Sequence, residues 1–264
     1  MNKIMITSEQ IRKRLKTKLL GSDIYAFKMV SSTNEFAREL AQRGAGEGTL
    51  IIAEEQTAGK GRMKRTWHSC AGKGLWFSLI LRPNIDAHEA VYFPYLMSVS
   101  IAQALEQTLS ITASLKWPND LLIRSKKFCG ILSEIEFTSK EINYIIIGIG
   151  INVLQQQSEF PDELADQATS LAIELNQDVD RVGLLCNILQ TIESNYLYAL
   201  RYGFKETISD WKSRCPFIGK KIKVMVDGKL IEGLFKDLDD SGGLILKRED
   251  SSEIQIYAGD FITA

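Results

Sequence analysis

GILSEIEFTSKEINYIIIGIGIN, residues 130–152, is the stretch that decides the fold of this chain. Two apolar or alternating runs, at 130–137 and 142–149, are separated by a short polar turn at 138–141. Isoleucines dominate the second run, and apolar, β-branched runs bounded by polar turns are typical of strands. The segment therefore predicts a hairpin at the centre of a mostly antiparallel sheet.

Strand and helix signals continue on both sides of this hairpin. Thr7 and Gln10 form a capping-box pattern at the start of one helix, and Pro94 either kinks another helix or marks its true start. Strands are predicted at 49–53 and 75–81, and helices at 7–20, 32–44, 87–109, 162–174 and 181–202, with a shorter helix reaching Trp211. The pattern indicates an α+β fold in which helices flank a mixed, mostly antiparallel sheet.

After Pro216 the predicted strands become short and closely spaced. They lie at 221–226, 230–237, 243–247 and 253–257, with turns such as Asp227-Gly228 between them. This spacing predicts a small β-barrel. We therefore divide the chain into an N-terminal helix and linker (1–24), a main domain (25–215) and a barrel domain (216–264).

Composition narrows the class of protein. The chain has 264 residues, a formal net charge of -1 at pH 7, 45% hydrophobic and 25% charged residues. These values are ordinary for a soluble globular protein and give no sign of a strongly basic nucleic-acid binder. Because no apolar run approaches the ~20 residues of a membrane helix and the N-terminus lacks a signal-peptide pattern, we expect a cytoplasmic protein without a membrane partner.

Several common chemistries are not supported by the motifs. The two histidines, His68 and His88, suggest no catalytic triad, and neither a G-x-S-x-G elbow nor a P-loop occurs. No glycine pair completes a Rossmann G-x-G-x-x-G turn. The cysteines show no C-x-x-C pair, so we expect buried thiols rather than a disulfide or a zinc site; they are Cys70, Cys129, Cys186 and Cys215.

A long polar loop, residues 56–74, separates two predicted strands. Its centre reads AGKGRMKRTW at 58–67, with four cations, two glycines and a tryptophan. Glycines let backbone N–H groups approach an anion, and the cations neutralise it. Loops of this length inside a domain are usually functional or mobile, so we interpret this one as an anion-binding loop, the alternative being a solvated basic loop.

Three further segments concentrate polar groups at strand ends. The segment KWPND at 116–120 combines a cation, a large ring, a rigid turn and a carboxylate. At 126–132, KKFCGIL places Lys127 where a strand begins and Gly130 inside it, where a glycine marks either a bulge or a close approach by a ligand. GIGIN at 148–152 ends an apolar strand with two glycines and an amide.

Together these segments resemble the biotin protein ligase family. The resemblance covers residues 32–152 and rests on five motifs in the family's order, namely Ser32-Thr33-Asn34, Gln56-x-Ala58-Gly59-x-Gly61-Arg62, Lys116-Trp117-Pro118-Asn119-Asp120, Lys127-x-x-Gly130-Ile131-Leu132 and Gly148-x-Gly150-Ile151-Asn152. It implies a class II synthetase-like catalytic domain at 25–215 and an SH3-like barrel at 216–264. The loop departs from the family's usual G-R-G-R-x-G-R at Lys60 and Lys64.

The resemblance implies an ATP-dependent ligase that forms biotinyl-5'-AMP and transfers biotin to a lysine of a biotin carboxyl carrier protein domain, with Mg²⁺ accompanying ATP. The implied catalytic residues are Arg62, Lys116, Lys127 and Asp120. The implied binding residues are Ser32, Thr33, Asn34, Gln56, Gly59, Lys60, Gly61, Arg62, Arg65, Trp67, Lys127, Gly130, Gly148, Gly150 and Asn152. We expect no metal site built from protein side chains.

Some individual roles stay open at this stage. Ser32 also suits a helix cap with Glu35, and Trp67 either stacks on adenine or packs the closed loop. Asp120 either orients Lys116, accepts a proton from the incoming amine or stabilises the turn. For Trp117 we favour a buried position in the hydrophobic core. Residues 58–73 are expected to be mobile without ligand and to close over the adenylate.

Three other functions compete with this interpretation. A lipoate–protein ligase shares the fold and chemistry, and a non-catalytic biotin sensor would need no phosphate-binding lysines. A DNA-binding repressor is not expected, because only one basic helix precedes Ser32. A homodimer could form through an exposed edge of the sheet or through the apolar strand at 144–147.

Overall fold

A seven-stranded sheet forms the centre of the protein in a computed structural model that describes residues 5–138 and 141–262. The strands are β1 (Ile24–Phe27), β2 (Leu50–Ala53), β3 (Gly74–Leu81), β4 (Ser114–Lys116), β5 (Asp120–Ile123), β6 (Lys126–Thr138) and β7 (Glu141–Asn152). Their order is β1-β2-β3-β7-β6-β5-β4. Among these described strands β1 and β2 pair in parallel and all other pairs are antiparallel, so the predicted mixed, mostly antiparallel sheet is confirmed.

The predicted hairpin is β6 and β7, which pair from Cys129–Ile151 to Thr138–Glu141. Two residues of its predicted turn, 139 and 140, lie outside the described residues. Strand β7 lies between β3 and β6, and Ile145, Ile146 and Ile147 are fully buried. The proposal that residues 144–147 form a dimer surface is therefore wrong, because both strand edges are paired and both faces are covered.

The described residues form six α-helices around the sheet: α1 (Ser8–Arg14), α2 (Thr33–Gln42), α3 (Phe93–Leu109), α4 (Leu171–Leu175), α5 (Arg181–Tyr202) and α6 (Lys205–Arg214). Alternate residues of each strand meet different helices. Ile51 and Ile146 pack with Ala37 of α2, whereas Ile52 and Ile147 belong to the larger core that contains α3 and α5. Burial on both faces explains why these strands are apolar throughout rather than alternating.

Most helix predictions hold in type, with shifts at their ends. Thr7 caps α1 with the predicted capping box, but the helix ends at Arg14. Pro94 lies in the first turn of α3, after a 3₁₀ helix at Ala87–Tyr92, so it marks the true start. The sequence patterns did not predict β1, β4, β5 or the last strand, β12 (Asp260–Ile262), as separate strands.

The helix predicted at 162–174 is wrong. A 3₁₀ turn at Asp162–Leu164 and the short helix α4 replace it. Between them the backbone follows β6 instead: Lys127 N donates to Gln167 O at 2.7 Å, and Thr169 N donates to Lys127 O at 2.9 Å. Pairing with the exposed start of a strand satisfies these backbone groups in place of a helix.

The C-terminal sheet contains β8 (Lys221–Val226), β9 (Lys229–Leu238), β10 (Leu244–Lys247), β11 (Glu253–Ile256) and β12. Its order is β11-β10-β9-β8-β12, and every pair is antiparallel. Within the described ranges no ladder joins β11 to β12, the two ends of this sheet. The β9–β10 turn fastens it to the main domain, where Tyr95 Oη and Trp117 Nε1 donate to Gly242 O at 2.5 and 3.3 Å.

None of the described helices has the length and hydropathy that crossing a bilayer would require.

Candidate functional site

A cavity of about 430 Å³ lies where the glycine-rich ends of β6 and β7 meet the 56–74 loop, the β4–β5 turn and β12. The predicted site residues that line it are Ser32, Thr33, Asn34, Gln56, Lys60, Gly61, Arg62, Arg65, Trp67, Lys116, Asp120, Lys127, Gly130, Gly148, Gly150 and Asn152. Gly59 is buried against the backbone of Trp67, whose N donates to Gly59 O at 2.8 Å. The fold thus gathers residues that lie far apart in sequence.

One end of the cavity is cationic. Lys127 Nζ lies 2.6 Å from Asp120 Oδ1 and 5.2 Å from the centre of the Trp67 ring. Lys116 Nζ lies 5.0 Å from the centre of the Phe261 ring. The carboxylate of Asp120 therefore pairs with Lys127 and not, as one alternative held, with Lys116.

Arg62 joins these lysines from the loop. Its Nη1 lies 3.5 Å from Asn119 Oδ1, and Asn119 Nδ2 donates to Ile131 O at 2.5 Å. Burial lowers the pKa of Arg62, and Asp120 and Asp260 act in the opposite direction. Burial likewise lowers the pKa of Lys116. Cations partly removed from water are costly without a counter-charge, so this end of the cavity favours an anion.

The other end of the cavity is polar and formally neutral where it meets α2. Gln56 Oε1 accepts from Thr33 N at 2.8 Å and from Thr33 Oγ1 at 3.0 Å, while Gln56 Nε2 donates to Ser69 Oγ at 3.1 Å. Ser78 Oγ donates to Asn34 Oδ1 at 2.6 Å. These side chains belong to α2, β3 and the 56–74 loop, and their hydrogen bonds to one another fix the geometry of the network.

Ser32 caps α2, as the sequence suggested, since its Oγ accepts from Glu35 N at 3.5 Å. Glu35 does not return to the cap. Its carboxylate pairs with Lys60 Nζ at 2.5 Å and accepts from Ser31 Oγ at 3.0 Å, and the ion pair lowers the pKa of Glu35. The carboxyl group that the sequence assigned to a capping box thus holds a loop cation.

The loop makes a tight turn at Arg62–Lys64. Gly61 N donates to Arg65 O at 2.7 Å, and Arg65 N donates to Arg62 O at 3.1 Å. Met63 and Lys64 have φ values of 53° and 60°, in the left-handed region that favours glycine. The family's loop usually has glycine at the position of Lys64. In this chain a lysine therefore adopts a strained backbone conformation there.

Trp67 occupies the space beside two of the predicted glycines. A Cβ at Gly130 or Gly150 would come within 2.8 or 2.5 Å of its ring, and a Cβ at Gly148 would come 2.1 Å from Asn34 Oδ1. The resemblance implies that these glycines belong to the binding site; in the structure protein side chains lie against them. Within the described residues Trp67 Nε1 is buried without a hydrogen-bond partner, a donor that a ligand could satisfy.

Asn152 is mainly an anchor. It is 6% exposed, its Nδ2 donates to Thr169 O at 3.1 Å, and its Oδ1 accepts from Gln155 Nε2 at 2.9 Å. These bonds tie the end of β7 to the segment before α4. Its implied role as a binding residue is not visible in these contacts.

The sequence interpretation missed the contribution of β12. Gly259, Asp260 and Phe261 line the cavity, and Asp260 forms an ion pair with Arg65. No local signal indicated this, because β12 was not predicted as a strand and lies 195 residues from Arg65. Leu164, Asp166, Gln167 and Ala168, which also border the cavity, were missed because they fall in the helix predicted at 162–174. Among the described residues no three acidic, histidine or cysteine side chains converge as metal ligands.

Comparisons with known proteins agree with this architecture. A model of the biotin/lipoate A/B protein ligase family matches residues 26–152, and a biotin protein ligase C-terminal domain matches 217–263. The chain is 39% identical to the bifunctional ligase/repressor BirA of Bacillus subtilis over 255 residues, covering 97% of this chain and 78% of that protein. It is 27% identical to the biotin–[acetyl-CoA-carboxylase] ligase of Mycobacterium tuberculosis, covering 92% and 90%.

Among solved structures, the chain is similar to the biotin protein ligase of Aquifex aeolicus in complex with biotin and ATP. The TM-score is 0.77 and the identity 32%, with 91% of this chain and 98% of that one covered.

Proposed function

The chain belongs to the biotin/lipoate A/B protein ligase family, and from this premise we propose that it joins biotin to a lysine of a biotin carboxyl carrier protein domain through a biotinyl-5'-AMP intermediate. It is a biotin ligase enzyme that uses ATP and biotin. The observation that carries the finer proposal is the division of the cavity into a cationic end, at Arg62, Lys116 and Lys127, and a neutral polar end, at Thr33 and Gln56.

The cationic end suits the first step. A biotin carboxylate oxygen attacks the α-phosphorus of ATP, an O–P bond forms, and pyrophosphate leaves with the electron pair of the bond that breaks. Both reactants are anions, so Arg62, Lys116 and Lys127 reduce their repulsion and stabilise the charge that develops in transfer. Asp120 holds Lys127 at 2.6 Å, which makes orientation of that lysine its main task.

The neutral end suits the ureido ring of biotin, which offers two N–H donors and one carbonyl acceptor. Thr33 and Gln56 present hydroxyl and amide groups that can pair with such an edge. Ser32, which is 1% exposed and caps α2, supports the backbone there. Binding the ring at a preformed network leaves the carboxylate directed toward the cations.

In the second step the acceptor lysine's amine attacks the acyl carbon of the adenylate. A C–N bond forms, the bond between the acyl carbon and the phosphate oxygen breaks, and AMP leaves as the amine loses a proton. The loop at 58–73 would close over the adenylate and protect the mixed anhydride from water. Equal protease cleavage of this loop with and without biotin plus ATP would contradict closure.

Mg²⁺ usually enters such sites with the phosphates of its nucleotide. The described residues do not form a cluster of three metal-ligand side chains, so no step is assigned to the metal. The prediction that this chain is not a DNA-binding repressor stays a prediction, and a homodimer through an exposed edge of the sheet stays a hypothesis.

The decisive experiment is exchange of labelled pyrophosphate into ATP, with biotin or lipoate as the acid. We expect exchange with biotin alone, reduced roughly 10²–10³-fold in Lys127→Ala because one electrostatic group is removed from the transition state. Lys126→Ala is the matched control, since Lys126 is the neighbouring lysine on β6 and does not line the cavity.

The other results separate the alternatives. Exchange driven by lipoate would indicate a lipoate–protein ligase. Biotin binding without exchange would leave a biotin sensor. Exchange without transfer to an isolated carboxyl carrier domain, compared with the same domain carrying Lys→Arg at its acceptor position, would reject the proposed acceptor and keep the adenylation step.

A further inference from the structure

Strand β12 brings the C-terminal sheet into the wall of the cavity. It pairs with β8 through Asp260–Met225 and Phe261–Val224, and Val224 is fully buried. The Phe261 ring also packs against Phe217, with ring centres 4.7 Å apart. The strand is thus fixed to its own sheet, while Asp260 and Phe261 face cations of the main domain.

Three of the cations that line the cavity have carboxylate partners. Lys60 pairs with Glu35 at 2.5 Å, Lys127 pairs with Asp120 at 2.6 Å, and Arg65 pairs with Asp260. The partners come from α2, β5 and β12, so three different elements each neutralise one cation. Mutual repulsion among the loop cations is reduced in this way while no anion is bound.

Asp260 acts on more than its ion-pair partner. Besides pairing with Arg65 it raises, as Asp120 also does, the pKa of Arg62 and of Lys116 against the lowering effect of burial. Its side chain is 27% exposed, and that of Arg65 is 65% exposed. Ion pairs this accessible contribute little net stability, so a polyanion can displace the carboxylate at small cost.

We propose that Asp260 is a positioning residue of the nucleotide site, the counterion that holds Arg65 in the unliganded protein and releases it to the phosphates of ATP. The inference rests on the proposed function in taking ATP as the anion that enters this cavity. Arg65 presents a planar set of donors that suits phosphate at least as well as carboxylate, and the triphosphate carries more charge than one carboxylate. Asp260 therefore lowers the affinity for ATP and does not change the affinity for biotin.

The test is Asp260→Asn, which removes the charge and keeps the shape. We expect the dissociation constant and the KM for ATP to fall about threefold to tenfold, because one competing ion pair is lost. The dissociation constant for biotin should stay within about twofold, since biotin's ring lies at the neutral end. Asp260→Glu should restore the wild-type KM for ATP.

Glu253→Gln is the matched control. Glu253 pairs with Lys236 at 2.6 Å in the same sheet, and neither residue lines the cavity. Calorimetry with ATP gives a readout that does not require turnover, and thermal unfolding of both variants shows whether the sheet is intact.

The results test the counterion role of Asp260 and the proposed ligase function separately. Unchanged or weaker ATP binding in Asp260→Asn would overturn the counterion role, as would parallel changes in ATP and biotin binding, which indicate a merely structural effect. Wild-type protein that binds ATP yet shows no biotin-dependent exchange would contradict the proposed function separately, leaving the comparison of ATP affinities to decide on Asp260.

Discussion

The two ends of the cavity are built differently. At the neutral end, Thr33, Gln56 and Ser78 are held by short hydrogen bonds between α2, β3 and the residues after β2. At the cationic end, Lys127 is held by an ion pair with Asp120, and the neighbouring loop residue Arg65 is held by one with Asp260. Hydrogen bonds in a buried network fix a geometry, whereas accessible ion pairs can be exchanged for those of a ligand. One end is therefore preformed for a neutral ring, and the other is prepared to exchange partners with an anion.

Among the substitutions that test this difference between the two ends, we expect the largest effect from a change at Gln56. Gln56→Ala leaves the Thr33 N–H and hydroxyl without their acceptor. We expect biotin binding to weaken about tenfold to a hundredfold and the free energy of unfolding to fall by ~1–3 kcal/mol, because buried polar groups lose partners. Calorimetry with biotin and urea unfolding measure these changes.

Gln107→Ala on the exposed surface of α3 is the control for Gln56→Ala. ATP affinity should stay near that of wild type in both variants. If Gln56→Ala weakened ATP binding as much as biotin binding, the two ends of the cavity would not be independent.

A smaller effect is expected from pH, and only at the cationic end. Burial lowers the pKa of Lys116 from its ordinary value of 10.5, so the side chain loses its proton at a lower pH than an exposed lysine does. Since the cation is the active form, the rate of pyrophosphate exchange should fall as pH rises through that lowered pKa. Biotin binding should stay level over the same interval.

Lys116→Arg tests the assignment, because arginine keeps its proton throughout the accessible range. The alkaline fall in exchange rate should move to higher pH in this variant, even if the rate at neutral pH is lower. An identical profile in both proteins would place the titrating group elsewhere.

The smallest effect concerns the strain in the loop that carries the cations. Lys64 has φ of 60°, so Lys64→Gly should be more stable than Lys64→Ala by about 1 kcal/mol, although both remove the same charge. Urea unfolding of the two variants measures the difference. Equal stability would mean that the turn at Arg62–Lys64 is remade in the variants, and the loop would then be more adaptable than its ion pairs indicate.

Local sequence patterns predicted the structure correctly where burial, a helix cap or a proline decides it. The isoleucines of 142–149 predicted β7, the capping box at Thr7 predicted the start of α1, and Pro94 marked the start of α3. They failed at 162–174, where pairing with the backbone of Lys127 outweighed helical periodicity. They also missed two three-residue strands: β4, which pairs with β5 across a short turn, and β12, which gains its hydrogen bonds from β8, a strand distant in sequence.

By itself the sequence determined the composition of the site, namely the cations, glycines and amides at the strand ends and in the loop. These residues carry the resemblance to the family and therefore indicate its chemistry. Only the tertiary structure decided which groups face one another. Glu35 binds Lys60 instead of completing its cap, Trp67 fills the space beside Gly130 and Gly150, and Asp260 reaches Arg65 across 195 positions. The physical reason is that propensity and periodicity are properties of residues that are neighbours in the sequence. An ion pair depends on the distance between two side chains in space, and that distance is set only when the chain has folded.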